Sequence, residues 1–145
     1  MYSIGEVSKM FNIPISTIRY YDKKGLFINI ERNSAGIREF GKREIDTLNV
    51  IQCLKKSGMQ LDDIKQFMDW CSQGDSSLEE RYKMFLKRRE DVKKQIKDLQ
   101  ETLDYIDFKC SYYEQAVDDG TEENVRANID KIMPEHVKNL RFMES

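Results

Sequence analysis

An apolar stripe from Leu78 to Val117, at alternating steps of four and three residues, constrains the fold of this chain most strongly. Most residues between its positions are charged, and the segment contains neither Gly nor Pro. Strict alternation of this kind is the seam of a coiled coil, and it is narrower than the apolar face of a helix packed within its own domain. Only Arg89 interrupts the stripe. The seam consists of Leu78, Tyr82, Phe85, Val92, Ile96, Leu99, Leu103, Ile106, Cys110, Tyr113 and Val117.

A single helix cannot bury its own seam, so this pattern requires a second helix. The chain contains no other heptad run of comparable length. The pattern therefore predicts a homodimer in which two copies of one helix pack together, each about 60 Å long at about 1.5 Å per residue. An intrachain hairpin of helices is the alternative that the pattern leaves open.

The formal net charge of −2 conceals an asymmetry along the chain. Residues 1–60 contain 10 Lys and Arg against 6 Asp and Glu, whereas residues 61–145 contain 14 against 20. A basic head on an acidic stalk favours a polyanion bound at the N-terminal end. No segment predicts a membrane span or a signal peptide, and three widely spaced cysteines do not suggest a disulfide framework. We therefore expect a cytoplasmic protein with reduced thiols and no membrane partner.

Two short amphipathic helices are predicted at the start of the chain. Ser3 and Glu6 form a capping box for the first helix. Pro14 suits the first turn of the second helix, which ends at Gly25. Hydroxyls, Arg and Tyr on the outside of a second helix suit contacts to phosphates and base edges, so the pair predicts a helix-turn-helix. Its outer residues are Ser16, Thr17, Arg19, Tyr20 and Lys23.

Residues 26–40 change to alternating apolar and polar positions around Asn33 and Gly36, which favours a β-hairpin. Directly after a helix-turn-helix, a hairpin indicates a wing. Arg32 and Arg38 would lie along it, either against a phosphate backbone or as solvated surface charge.

The remaining patterns complete the predicted domain organisation. Apolar spacing predicts helices over residues 41–57 and 60–72, with Cys71 as a small core residue, and Ser76 with Glu79 indicates a capping box opening the long helix. We expect a winged helix-turn-helix DNA-binding domain over 1–74, a dimerisation helix over 76–118 and a short tail, mainly one helix, over 119–145.

Several segments resemble the MerR family of bacterial transcription regulators. These segments are Ser3-Ile-Gly-Glu-Val-Ser, Ile18-Arg-Tyr-Tyr-Asp, Gly25-Leu, Gly36-Ile-Arg-Glu-Phe and Leu54-Lys-Lys-Ser-Gly-Met. The resemblance implies a mostly α fold, with a winged helix-turn-helix head and a long antiparallel coiled-coil dimerisation helix. It implies a regulator rather than an enzyme: a dimer that distorts an overlong promoter spacer so that RNA polymerase can use the double-stranded promoter DNA.

The same resemblance assigns the DNA contacts. In the family these positions fall on the second helix, in the wing and on the third helix, and here they are Ser16, Thr17, Arg19, Tyr20, Tyr21, Arg38 and Lys55. The chain departs from the family pattern at Ile37 and Phe40, where many members carry hydroxyl-bearing aromatic residues.

Three classes of inducer compete for the predicted signal. Cys53 resembles the cysteine of the family branch that responds to aldehydes and other electrophiles, and Lys56 at i+3 would favour its thiolate. The dipole at the helix C-terminus opposes that charge. The alternative is that Cys53 is an unreactive, small core residue buried beside Val50. No second cysteine follows Cys110, so we predict no metal site, and we also predict no cofactor. A metal-sensing regulator of the same family is the alternative.

Drug sensing is the third inducer class and is not expected, and one alternative lies outside the family. Drug-sensing members of the family carry a whole ligand-binding domain, and the 25 residues after Gly120 are too few for one. A coiled-coil adaptor whose head binds protein instead of DNA is the alternative from a different functional class.

Overall fold

The computed structural model describes residues 1–140, so residues 141–145 of the predicted tail lie outside the described residues. The fold is mostly α, with a two-stranded hairpin between the second and third helices. The chain divides into two compact units, Met1–Asp91 and one that begins at Val92. The elements are α1 (Ile4–Phe11), α2 (Ile15–Lys23), β1 (Glu31–Arg32), β2 (Arg38–Glu39), α3 (Lys42–Lys56), α4 (Leu61–Ser72), a 3₁₀ turn (Gly74–Ser77), α5 (Leu78–Asp119), α6 (Glu123–Ala127), α7 (Ile129–Ile132) and α8 (Glu135–Lys138).

The N-terminal helix begins as its sequence predicts. The Ser3 hydroxyl accepts the Glu6 N–H at 3.2 Å, and the Glu6 carboxylate accepts the Ser3 N–H at 2.7 Å. The second of these hydrogen bonds lowers the pKa of Glu6 most, because it favours the charged carboxylate. Asn12 ends α1 in the left-handed conformation, and α2 follows after Pro14. These two helices form the predicted helix-turn-helix.

The hairpin confirms the predicted wing and gains a third segment. β1 and β2 are antiparallel, with Arg32 directly opposite Arg38. Beyond β2, Tyr2 pairs with Phe40 through two backbone hydrogen bonds of 2.7 and 2.9 Å. This pairing connects the chain start to the base of the wing. There the ring of the buried Phe40 packs edge-on against Phe27, with 5.9 Å between the ring centroids.

One hydrophobic core holds the first unit together. α3 and α4 supply about half of it, with Leu48, Ile51 and Leu54 on the inner face of α3, and Cys71 packs against it while half-buried. Gly58 ends the α3 segment at φ +93°, a conformation that glycine adopts without a Cβ penalty. The fully or nearly fully buried members are Val7, Ile18, Tyr21, Leu26, Phe27, Phe40, Leu48, Ile51, Leu54, Met59, Ile64, Phe67 and Met68.

The start of α5 corrects one local prediction. Ser76 lies in the 3₁₀ turn and donates to the Gln73 carbonyl at 3.3 Å instead of forming a capping box with Glu79. The buried Ser77 occupies the junction instead: its hydroxyl donates to the Trp70 and Gly74 carbonyls and accepts from Arg81. The added 3₁₀ turn shifts the helix start beyond Ser76, which is why the predicted cap does not form.

In the first unit, the seam side chains at the start of α5 face solvent. Leu78 and Tyr82 are more than half exposed, and Phe85 is 41% exposed although its ring contacts Phe67 at 5.3 Å between centroids. Most of this part of the seam is therefore left uncovered by the described chain.

In the second unit, the tail packs on α5 beside the seam. The residues after Gly120 form the three short helices α6, α7 and α8 rather than mainly one, because a turn at Asn128 and Pro134 at the start of α8 interrupt them. The core of this unit contains Phe108, Tyr112, Ala116, Val125, Val137 and Leu140.

The tail does not cover the seam of the second unit. Leu99 remains 69% exposed and Val117 78% exposed, and Ile96, Leu103, Ile106, Cys110 and Tyr113 are exposed as well. Within residues 1–140, no helix of the same chain buries the seam, which argues against the intrachain hairpin.

Candidate nucleic-acid interface

The outer face of α2 carries the side chains that the sequence assigned to DNA. Ser16 and Arg19 are exposed, Tyr20 is 48% exposed and Thr17 is half-buried. The Pro14 carbonyl accepts the N–H groups of Thr17 and Ile18, so the first turn of α2 is closed without a side-chain cap. The structure therefore brings two hydroxyls, a guanidinium and a phenol together on one exposed helix.

Tyr21 occupies a different position from the other four predicted contacts on α2. Its side chain is 2% exposed, because it lies three residues after the buried Ile18 on the inner stripe of α2. The ring is therefore a core residue, and the contact of Tyr21 with DNA stays a prediction. The Lys55 ammonium donates to the Tyr21 hydroxyl at 3.0 Å and lies 5.6 Å from the ring centroid. Tyr21 thus positions Lys55 of α3 beside α2.

The predicted wing residue Arg38 is bound to α2, the recognition helix of the helix-turn-helix. Its Nε donates to the Asp22 carboxylate at 2.7 Å, and each side chain is 25% exposed. This ion pair fixes the orientation of β2 relative to α2. No sequence pattern predicted a role for Asp22, and the only signal was its place directly after the two tyrosines of α2.

The tip of the wing is tightened by side-chain hydrogen bonds. The Asn33 amide oxygen accepts the N–H groups of Ala35 and Ile37, and Arg32 donates to the Gly36 carbonyl at 2.7 Å. Gly36 has φ +77°, which the turn requires. Ile37 is 56% exposed and Phe40 is buried, and neither side chain contains a hydroxyl that could bind a phosphate.

The start of α3 depends on Glu44. Its carboxylate accepts the Gly41 N–H at 2.9 Å and Arg43 Nε at 3.1 Å, while Arg43 also donates to the Asn29 carbonyl. Burial acts to raise the pKa of Glu44, but these hydrogen bonds outweigh it and the pKa lies below its ordinary value. Through Arg43, the cap connects the start of α3 to the segment before β1.

Lys24, just after α2, is a further cation with a partner that the sequence did not reveal. Its ammonium lies 3.2 Å from the Asp62 carboxylate of α4, and this hydrogen bond raises the pKa of Lys24. The contact joins the end of the recognition helix to the start of α4.

The three thiols occupy different environments, and all are free. Cys53 lies on the outside of α3 and is exposed, which overturns the alternative that it is buried beside Val50. Cys110 is exposed on α5. Across the described part of the chain, no group of three or more His, Cys, Asp and Glu could hold a metal ion. No described helix combines the length and the apolar character needed to cross a bilayer.

Comparison with known proteins agrees with the geometry of the head. Residues 2–70 match the MerR HTH family regulatory protein model, and residues 45–107 match the "MerR, DNA binding" model. An uncharacterised HTH-type transcriptional regulator of Haemophilus influenzae is 36% identical over 79% of this chain and 85% of its own length. The HTH-type transcriptional regulator AdhR of Bacillus subtilis is 26% identical over 61% of this chain and 63% of its own length.

A solved structure extends the similarity over most of the chain. HiNmlR, a MerR family regulator lacking the sensor domain and crystallised with promoter DNA, has a TM-score of 0.80 to this chain. The two are 35% identical, and the match covers 86% of this chain and 94% of that one. The winged helix-turn-helix and the long helix are thus those of a known class of regulators, which are not enzymes. The chain belongs to the MerR family of DNA-binding transcriptional regulators.

Proposed function

We propose that this regulator binds promoter DNA as a homodimer, with α2 in the major groove and the wing against the phosphate backbone. The observation that carries the DNA contact is the exposed face of α2, where Ser16, Arg19 and Tyr20 project together. Arg can bind a guanine edge with two hydrogen bonds, and hydroxyls suit phosphate oxygens. Arg38 and Lys55 flank that face from the wing and from α3. HiNmlR, similar over most of the chain, was crystallised with promoter DNA.

The homodimer is supported by the exposed seam of α5. An uncovered apolar row along a 42-residue helix calls for a partner, and a second copy offers the same row. We accordingly keep the proposed division into a DNA-binding domain over 1–74, a dimerisation helix over 76–118 and a tail over 119–145.

The proposed action, in the cytoplasm, is distortion of an overlong promoter spacer, so that RNA polymerase can contact the −35 and −10 elements on either side of the spacer. The free energy of two heads binding at fixed separation would bend or untwist the DNA between them. This step rests on the family resemblance and on the dimer.

The proposed signal is an aldehyde or another electrophile that reacts with Cys53. The thiol is exposed, so a reagent can reach it, and Lys56 lies one turn further along α3. The thiolate would add to an aldehyde carbon, forming a C–S bond, while the C=O π pair moves to the oxygen and takes a proton. Because Cys53 is exposed, the adduct would change a surface of α3. It would leave the packing of the core of the head unchanged.

Transcription from a promoter with an overlong spacer would test the whole proposal. The wild-type protein is expected to shift the promoter fragment in a gel and to activate transcription when an aldehyde is added. Cys53→Ser should still bind but lose the aldehyde response, whereas Cys71→Ser and Cys110→Ser should keep it. A Cys53→Ser protein that responds as fully as wild type would remove Cys53 from the mechanism, and a wild-type protein that never shifts the fragment would refute the DNA contact.

A further inference from the structure

The seam of α5 has an internal symmetry that allows two copies to pair antiparallel over its whole length. From Leu78 to Val117 its steps alternate between four and three residues, and the order is the same from either end when Arg89 is counted. In an antiparallel pair of helices, the seam positions of one chain meet those of the other in reverse order. A complete overlap of the two seams then places Ile96 beside the partner's Leu99 at the centre, and Arg89 beside the partner's Ile106.

Arg89 is the one charged residue within this otherwise apolar or weakly polar row. It is exposed, and the structure gives it no ion pair or hydrogen bond within residues 1–140. Its neighbour Arg88, by contrast, lies 3.0 Å from Asp91 of the same helix. A guanidinium buried in an apolar interface without a counter-charge is strongly unfavourable, so a carboxylate of the partner beside Arg89 would stabilise a dimer through this seam.

Asp107 is the carboxylate that the reversed order brings to Arg89. It directly follows Ile106, the seam residue that lies opposite Arg89, and it is exposed without an ion pair among the described residues. On the other flank of Ile106 lie Thr102 and Lys109, and Lys109 stands over aromatic rings of its own chain, 4.9 Å from the centroid of Tyr112. Neither of them offers a carboxylate.

We infer that Arg89 forms an ion pair with the partner's Asp107, twice in each dimer, and that these two pairs set the antiparallel register. This inference rests on the homodimer proposed above and adds the contact that selects one alignment of the two helices. A long Arg side chain can leave the apolar layer and carry its charge to the edge, where Asp107 lies. A single polar residue at a seam position is a known way to specify register at some expense of stability.

Charge exchange between two differently tagged full-length chains tests the pair. Arg89→Asp alone places Asp opposite Asp at both sites, and Asp107→Arg alone places Arg opposite Arg, so each variant should dimerise at least about tenfold more weakly than wild type. Mixed together, the two variants restore an opposite-charge pair at both sites. The mixture should therefore form the heterodimer well in excess of the statistical share, as measured by tag pull-down and sedimentation.

The outcomes separate this inference from the homodimer itself. A wild-type protein that sediments as a monomer at micromolar concentration would remove the homodimer and this inference with it. A wild-type dimer whose two variants mix statistically, or whose variants dimerise as tightly as wild type, would overturn the ion pair alone. Lys87→Asp is the matched control, because Lys87 is exposed and off the seam, and it should leave dimerisation close to wild type.

Discussion

The Lys55 ammonium donates a hydrogen bond to the Tyr21 hydroxyl at 3.0 Å and lies 5.6 Å from the centre of the same ring. The tyrosine is a core residue of α2, and the lysine belongs to the exposed end of α3. A buried ring thus holds a surface cation in place next to the recognition helix. Less side-chain entropy is then lost when Lys55 meets a phosphate, because the ammonium is already oriented.

Tyr21→Phe should separate the position of Lys55 from its charge. The ring and its packing remain, but the hydroxyl that orients Lys55 is lost, so affinity for all DNA sequences should fall about two- to fivefold, in line with one hydrogen bond. Lys55→Ala should weaken binding to every sequence and lower the slope of log K against log salt by about one ion. Titrations by fluorescence anisotropy at several salt concentrations measure both, and an unchanged slope in Lys55→Ala would refute its phosphate contact.

Breaking the ion pair between Arg38 and Asp22 should change the affinity for non-specific DNA and the specificity for the operator in opposite directions. Asp22→Asn removes a negative charge beside the DNA and should raise affinity for non-specific DNA. The same change frees Arg38 from its orientation, so the ratio of specific to non-specific affinity should fall. The pair is only 25% exposed, and its loss should lower the free energy of unfolding by about 1 kcal/mol. Arg38→Ala is the matched control, since it should weaken binding to both kinds of DNA.

Arg19 should carry base recognition on α2. Arg19→Ala should cost about 1–3 kcal/mol of specific binding and relax the preference at one base pair of each half-site, if the guanidinium binds a base edge. A binding-site selection with wild type and variant would locate that base pair. Equal losses on specific and random DNA would show instead that Arg19 contacts only the backbone.

The head was largely predictable from the sequence because its signals are local. Ser3 with Glu6, Pro14, the Gly36 turn and the apolar spacing of α3 each determine structure within a few residues. The interface was less predictable, because its decisive contacts join residues far apart in the chain. Tyr21 follows Tyr20, and only the phase of α2 against the core decides which ring is buried.

The second unit shows a similar limit. The seam was visible as a strict repeat. The face of α5 that receives the tail was not, because its residues Tyr105, Phe108 and Tyr112 lie next to the seam and could equally belong to one broad apolar face. Which of two adjacent stripes is covered depends on where the tail packs.

Leu99→Glu should dissociate the proposed dimer without unfolding the chain. Leu99 is 69% exposed in the single chain, so its replacement removes little packing within the monomer. In a dimer the new carboxylate would be buried near the centre of the seam, which is costly. Sedimentation should then report monomers, and binding to a palindromic operator should be lost. Lys97→Glu, exposed and off the seam, should remain dimeric; a dimeric Leu99→Glu would contradict the seam.

Glu44 should make the stability of the head depend on pH in the acid range. Its folded pKa is lowered, so its contribution is fully present above the ordinary pKa of a glutamate and is lost as the pH falls through the folded value. Glu44→Ala should lower the free energy of unfolding by about 1–2 kcal/mol at neutral pH. Urea unfolding followed by circular dichroism at neutral and acid pH should show this difference shrink upon acidification. A difference that is the same at both pH values would refute the ionised cap.

The tail covers its own stripe of α5, and this has an evolutionary consequence. Phe108, Tyr112 and Ala116 are buried by residues such as Val125 and Val137, not by the seam. In a homologue whose chain stops soon after α5, these three positions should be polar, since nothing would shield them from water. Across the family, the tail and its stripe should be gained and lost together, while the seam persists in both kinds of sequence.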